Sequence, residues 1–140
     1  MSPTLRPKTR LAWLLPAVAW LAGVAGMVAI WLAASLAIGM PSGWLALVAA
    51  LDLAVLLRLA AMPAGPARAW AATAGTALAI VLSYWFVAAT IIGLPMGLRP
   101  LESATRMGPV LAGELIRHAS SGWDLAWALL ALPLAWRLAR

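Results

Sequence analysis

The sequence predicts an all-α integral membrane protein. Four transmembrane helices form a bundle, and an amphipathic, Pro-kinked helix lies on the periplasmic surface. Three observations predict this. Of the 140 residues, 65% are hydrophobic and only 10% charged, where soluble domains run near half and about a quarter. Ten Lys or Arg and four Asp or Glu side chains cannot clothe a soluble domain of this size. The apolar residues also gather into runs long enough for a bilayer core of about 30 Å, which takes about 20 helical residues. The mean hydropathy of +0.97 agrees.

The first span covers about 11–38. The basic stretch Arg6-Pro7-Lys8-Thr9-Arg10 resembles the start of a signal peptide. The apolar run after it far exceeds the about 7–15 residues of a signal core, so it reads as a retained helix. Pro16 predicts a kink near its start. A turn at Gly39-Met40-Pro41-Ser42-Gly43 leads to the second span, about 44–62, with Ser42 as its cap. Pro63-Ala64-Gly65-Pro66 breaks the chain, and the third span follows at about 68–94. The fourth covers about 123–138. Ser121 and Asp124 before it have the spacing of a capping box.

Between the last two spans, residues 98–120 carry a helical period. Leu101, Ala104, Thr105, Gly108, Leu111, Ala112, Leu115 and Ile116 recur at spacings of three and four, with charged residues between them. This pattern suits a helix lying on a membrane surface. Pro109 lacks an N–H and should split it after Gly108. Glu102 with Arg106, and Glu114 with Arg117 and His118, stand at ion-pair spacing. Arg99, Arg106 and Arg117 offer guanidinium forks to phosphate or carboxylate. Arg99, Glu102, Arg106, Glu114, Arg117 and His118 are therefore the candidate headgroup or partner contacts.

Charge sets the expected orientation. Arg6, Lys8, Arg10, Arg58, Arg68, Arg137 and Arg140 fall on one side of the spans, and Arg99, Arg106 and Arg117 on the other. The positive-inside rule then places both termini in the cytoplasm of a bacterial inner membrane. Trp13, Trp70 and Trp136 mark the inner interface, and Trp44 and Trp123 the outer one.

Lipid tails are as apolar as leucine, so small residues that let backbones approach must hold such helices together. The rows Ala25-Ala29-Ala33-Ala37, Ala46-Ala50-Ala54 and Ala67-Ala71-Gly75-Ala79-Ser83 serve internal packing, or one of them is left for a partner helix.

Asp52 is the conspicuous intramembrane residue. It lies eight positions after Trp44, about 12 Å along the helix. An Asp there costs about 2.5–3.5 kcal/mol on insertion scales, which the surrounding Leu and Val offset with little surplus. Intramembrane acids mark function by default. Asp52 is expected to hydrogen-bond Ser83 or Thr76 on the third span, with Tyr84 nearby, so Asp52, Thr76, Ser83 and Tyr84 form the candidate intramembrane site.

Several function classes are excluded. The net charge of +6 sits at the ends of apolar runs, not on a patch for nucleic acid. There is no cysteine, and His118 is the sole histidine, so thiolate and multi-His metal sites are ruled out. Nucleotide-loop and hydrolase motifs do not occur. No cofactor, metal or catalytic residue is expected. The expected function is that of a small non-catalytic accessory or structural subunit, held by the bilayer and by other membrane subunits or self-association. The alternative is a small oligomeric transporter or lipid-handling protein using Asp52. The chain reads as one domain, 1–140.

Overall fold

The computed structural model describes residues 11–39, 42–119 and 122–140. Arg6, Lys8, Arg10 and Ser121 lie outside the described residues, and with them the basic N-terminal stretch and the proposed Ser121 cap. Within the described residues the fold is 87% helix, with no strand.

Helix α1 spans Leu11–Ile38 and continues through Pro16. It ends where Gly39 adopts a left-handed φ of 72°, a conformation glycine reaches without steric cost. Helix α2, Leu45–Leu59, starts later than the sequence predicts. Trp44 is its N-cap residue and makes no side-chain capping bond. Ser42 stands two positions before it, and its carbonyl accepts the Leu45 N–H. The turn thus winds further than the Ser42 cap requires.

The C-terminus of α2 closes by a Schellman pair, Met62 N–H to Leu57 O and Ala61 N–H to Arg58 O. Ala61 takes the left-handed position, φ 57°, that glycine normally fills. Helix α3, Pro66–Gly93, has Pro66 at its first position, where a missing N–H costs nothing.

A 3-10 turn, Leu94–Met96, leads to two short helices, α4 at Pro100–Arg106 and α5 at Pro109–Ala119. The predicted surface helix is therefore split at Gly108–Pro109, as its proline demands. Helix α6 spans Gly122–Ala139.

Helix α3 is the hub, packing against α1, α2, α4, α5 and α6. Helix α2 lies beside it, and α1 and α6 flank this central pair, each touching both members. The register of α1 on α3 is set by Trp20, whose Nε1 donates to Ala71 O at 2.8 Å. Gly75 makes room for that indole, since a Cβ there would meet Nε1 at 2.6 Å. Further along, Met27 shares a cluster with Ala79, and Trp31 meets Tyr84. Both numbers rise together, so α1 and α3 run parallel.

The core is assembled from alanines, which is why the helices come close. Ala46, Ala50, Ala54, Ala72, Ala131 and Ala135 are at most 2% exposed. Trp31, Met27, Leu53 and Leu57 fill the space between them, while many other large apolar side chains point outward, among them Leu14, Leu21, Ile30, Val81, Leu129 and Leu130. Two segments, Ala12–Ile38 and Pro66–Met96, are long and apolar enough to cross a membrane. Only 28% and 44% of their most apolar windows are buried, so each keeps most of its apolar surface on the outside.

Candidate functional site

Two ends of the helix assembly can be told apart by their polar contacts. At one end lie Arg58, Arg68 and the C-terminus of α6. At the other, Gly43 meets the first turn of α6 so closely that a Cβ there would lie 3.0 Å from the Asp124 Cα.

At the Arg68 end the guanidinium groups act on backbone. Arg68 is buried. Its Nε donates to Ala139 O, its Nη1 to Met62 O at 3.1 Å, and its Nη2 to Arg140 O at 3.4 Å. Arg58 Nη2 donates to Leu138 O. The carbonyls of Leu138, Ala139 and Arg140 are orphan acceptors at the C-terminus of α6, where the helix dipole also favours positive charge, and that of Met62 belongs to the turn after α2. Trp70 and Trp136 close the same end, edge to face with centroids 4.9 Å apart. Beside it lies a groove of about 530 Å³, lined by Trp13, Pro16, Trp20, Leu57 and Met62 among others. Its walls are apolar, so its chemistry suits hydrocarbon.

The structure separates the four predicted intramembrane residues. Asp52 turns toward α1: a Cβ at Gly23 would lie 3.6 Å from its Oδ2 and 2.8 Å from Leu56 Cδ1. It is partly exposed, on the rim between the α1-facing side of α2 and the outward stripe of Val48, Leu51, Val55 and Leu59. Thr76 donates to Ala72 O in its own helix at 2.8 Å. Thr73 and Thr90 bond back in the same way, at 2.8 Å and 2.7 Å. The hairpin expectation assumed that level implies contact. On α2, however, Asp52 is rotated about 100° from Leu53, which enters the core.

Ser83 and Tyr84 belong to a different group, together with two residues that sequence reasoning did not single out. Trp31 Nε1, Ser35 Oγ, Ser83 Oγ and Tyr84 OH are buried and have no hydrogen-bond partner among the described residues. Trp31 and Tyr84 meet edge to face, with ring centroids 5.5 Å apart. Asp124, in the first turn of α6, lies within electrostatic reach of the Tyr84 hydroxyl, though no well-formed hydrogen bond joins them. The signal was present in the sequence: Trp31 and Ser35 are the polar pair at i,i+4 on an otherwise apolar stretch of helix.

The α4–α5 residues are held onto α3 by polar anchors. Ser103 Oγ donates to Ala89 O, and Trp85 Nε1 to Ala104 O at 3.1 Å. Ala89, Ala104, Met107 and Ala112 pack beneath. Of the predicted surface residues, Arg99, Glu102, Arg106, Glu114, Arg117 and His118 are all exposed. Glu102 turns back to accept the Arg99 N–H at 3.1 Å, closing the N-terminus of α4. Arg117 pairs with Glu114 at 3.6 Å. His118 Nδ1 contacts the Glu114 main-chain carbonyl at 2.8 Å and not its carboxylate, so the two side chains do not form an acid–base pair.

The three small-residue rows also part company. Ala46, Ala50 and Ala54 of α2, and Gly75, Ala79 and Ser83 of α3, are buried. Ala25, Ala29, Ala33 and Ala37 of α1 are all exposed. Comparison with protein-family models, with curated proteins and with solved structures finds no match to this chain.

Proposed function

We propose that the protein is a small non-catalytic subunit of a larger assembly in a bacterial inner membrane. In this reading α1, α2, α3 and α6 are four spans, and both termini are cytoplasmic. The Arg68 end lies at the cytoplasmic interface, and α4 and α5 rest on the periplasmic surface. The concentration of Arg58, Arg68, Arg137 and Arg140 at one end supports that orientation.

One observation carries the docking role. The α1 row Ala25-Ala29-Ala33-Ala37 faces outward, whereas Ala46, Ala50 and Ala54 of α2 and Gly75, Ala79 and Ser83 of α3 are spent inside. Small residues spaced by four let another helix backbone approach closely. On the helical wheel Ala33 lies about 80° and Ala29 about 120° around α1 from Gly23, the residue that Asp52 approaches. A docking helix would therefore meet a smooth alanine strip on the outward side of α1.

Native mass spectrometry after gentle extraction from its own membranes tests this. The expected result is a defined complex that contains this chain and a second membrane protein. Asp52→Asn or Ala29→Leu should reduce that complex while α1–α3 packing persists. A lone monomer, retained by neither protein partner nor second copy, overturns the reading.

A further inference from the structure

The four unpartnered polar groups near the Gly43 end carry a conclusion of their own. An indole N–H can only donate, and Ser and Tyr hydroxyls both donate and accept. The large majority of buried side-chain polar atoms in folded proteins find a partner, in protein or in ordered water. Here Trp31 and Ser83 are fully buried and Ser35 is 4% exposed. Trp31, Ser35 and Ser83 have no hydrogen-bond partner among the described residues, and the Tyr84 hydroxyl, which also lacks a well-formed bond, faces Asp124.

They also share a level of the fold. The Trp20–Ala71 bond sets an offset of 51 between α1 and α3, which brings Trp31 opposite Leu82 and Ser83. Tyr84 touches the Trp31 ring directly, and Ser35 stands one turn of α1 further along. Ile80 and Val87, one turn before and after Ser83 and Tyr84, pack in the same cluster as Trp31. A serine inside a helix ordinarily returns its proton to the carbonyl four residues back, as Thr76 and Thr90 do here. Ser83 does not, so its hydroxyl is available to something else.

We infer that Trp31, Ser35, Ser83 and Tyr84 bind one or more water molecules inside the helix assembly. Water is the ligand whose chemistry fits. It accepts from the indole, exchanges donor and acceptor roles with three hydroxyls, and needs two to four polar partners. The Asp124 carboxyl beside Tyr84 disfavours an anion. This site is independent of any partner on α1, because its residues point into the core.

Hydroxyl-radical footprinting of the full chain in lipid nanodiscs, resolved residue by residue, tests the inference. Radicals formed from bound water attack the side chains that hold it. Trp20 is the internal control, since its indole is satisfied by Ala71 O and is more exposed than Trp31. In a dry core Trp31 would be modified more slowly than Trp20, following exposure. With bound water the order inverts, and Trp31 is modified faster than Trp20. The double change Ser35→Ala, Ser83→Ala should then slow Trp31 several-fold and leave Trp20 as it was. Modification in the order of exposure, or a Trp31 rate indifferent to both serines, overturns the proposal. The first readout uses the unaltered protein and does not depend on the variant folding.

Discussion

Arg68, Arg58 and Trp20 each send their donors to a main-chain carbonyl, whereas Trp31, Ser35, Ser83 and Tyr84, further along the same helices, meet none. The Arg68 end is closed by the protein itself. Its long guanidinium stems reach across from α2 and α3 to the frayed carbonyls of α6, so three helices terminate in one hydrogen-bonded knot. At the Gly43 end Trp31 and Tyr84 meet ring to ring across the α1–α3 interface, but their polar atoms and the two serine hydroxyls reach no main-chain carbonyl. Polar groups are thus satisfied by backbone at one end and left to a third party at the other. Stability concentrates in the first arrangement, and adaptability in the second.

The sharpest way to break the contrast is Arg68→Met. It keeps the apolar stem and removes donors to Ala139, Met62 and Arg140. Bonds from charged donors contribute about 1.5–3 kcal/mol each, and shared acceptors reduce the sum, so a loss of about 3 kcal/mol is expected. Reversible unfolding in mixed micelles measures it. Arg68→Lys should recover only part, because a point charge cannot serve three carbonyls held by a planar fork. A loss below about 1 kcal/mol would mean that the knot is not where stability resides.

Gly75→Leu comes next. A side chain there collides with Trp20 Nε1 and Leu53 Cδ1 and should cost about 1–3 kcal/mol by overpacking. Trp20 fluorescence should shift as the indole leaves Ala71. The same substitution at Gly26, where a Cβ meets nothing within 4 Å, should leave the fold stable. Gly26 lies on the outward flank of α1, so under the proposed docking role that variant is impaired in assembly alone.

Much of this fold was legible in the sequence, because the main signals are local. The end of α1 at Ile38 follows from an apolar run and the glycine after it. The break between α4 and α5 follows from one proline. The contacts of Asp52, Arg58 and Arg68 were not legible. They depend on the rotation of α2 about its axis and on where α6 ends, and neither is written in any single helix. Charge counting located the arginines at one end and could not say that they hold carbonyls. Trp31 was overlooked because an indole in an apolar run looks like packing until its Nε1 is traced.

Ala61→Gly probes the Arg68 end from the opposite direction, by removing strain. Ala61 holds a left-handed φ in the Schellman turn after α2. Glycine there should stabilise by about 0.5–1 kcal/mol, net of its greater freedom when unfolded. No side-chain contact changes, so a rise in the unfolding midpoint at unchanged cooperativity is the expected signature.

The smallest effect belongs to the surface. Arg117 and Glu114 form an ion pair at 3.6 Å, with their side chains 79% and 56% exposed. Such pairs contribute about 0–1 kcal/mol, because water already solvates both charges and the side chains lose freedom on pairing. Glu114→Gln should change stability by about 0.3 kcal/mol or less, and added salt should erase even that. Buried Ser103, bonded to Ala89 O on the same surface segment, gives the contrast. Ser103→Ala leaves that donor missing under a packed helix and should cost about 1 kcal/mol, independent of salt. If Glu114→Gln proved the costlier of the two, α4 and α5 would be held by their charges, and the distinction between anchored interior and solvated surface would fail where it is easiest to measure.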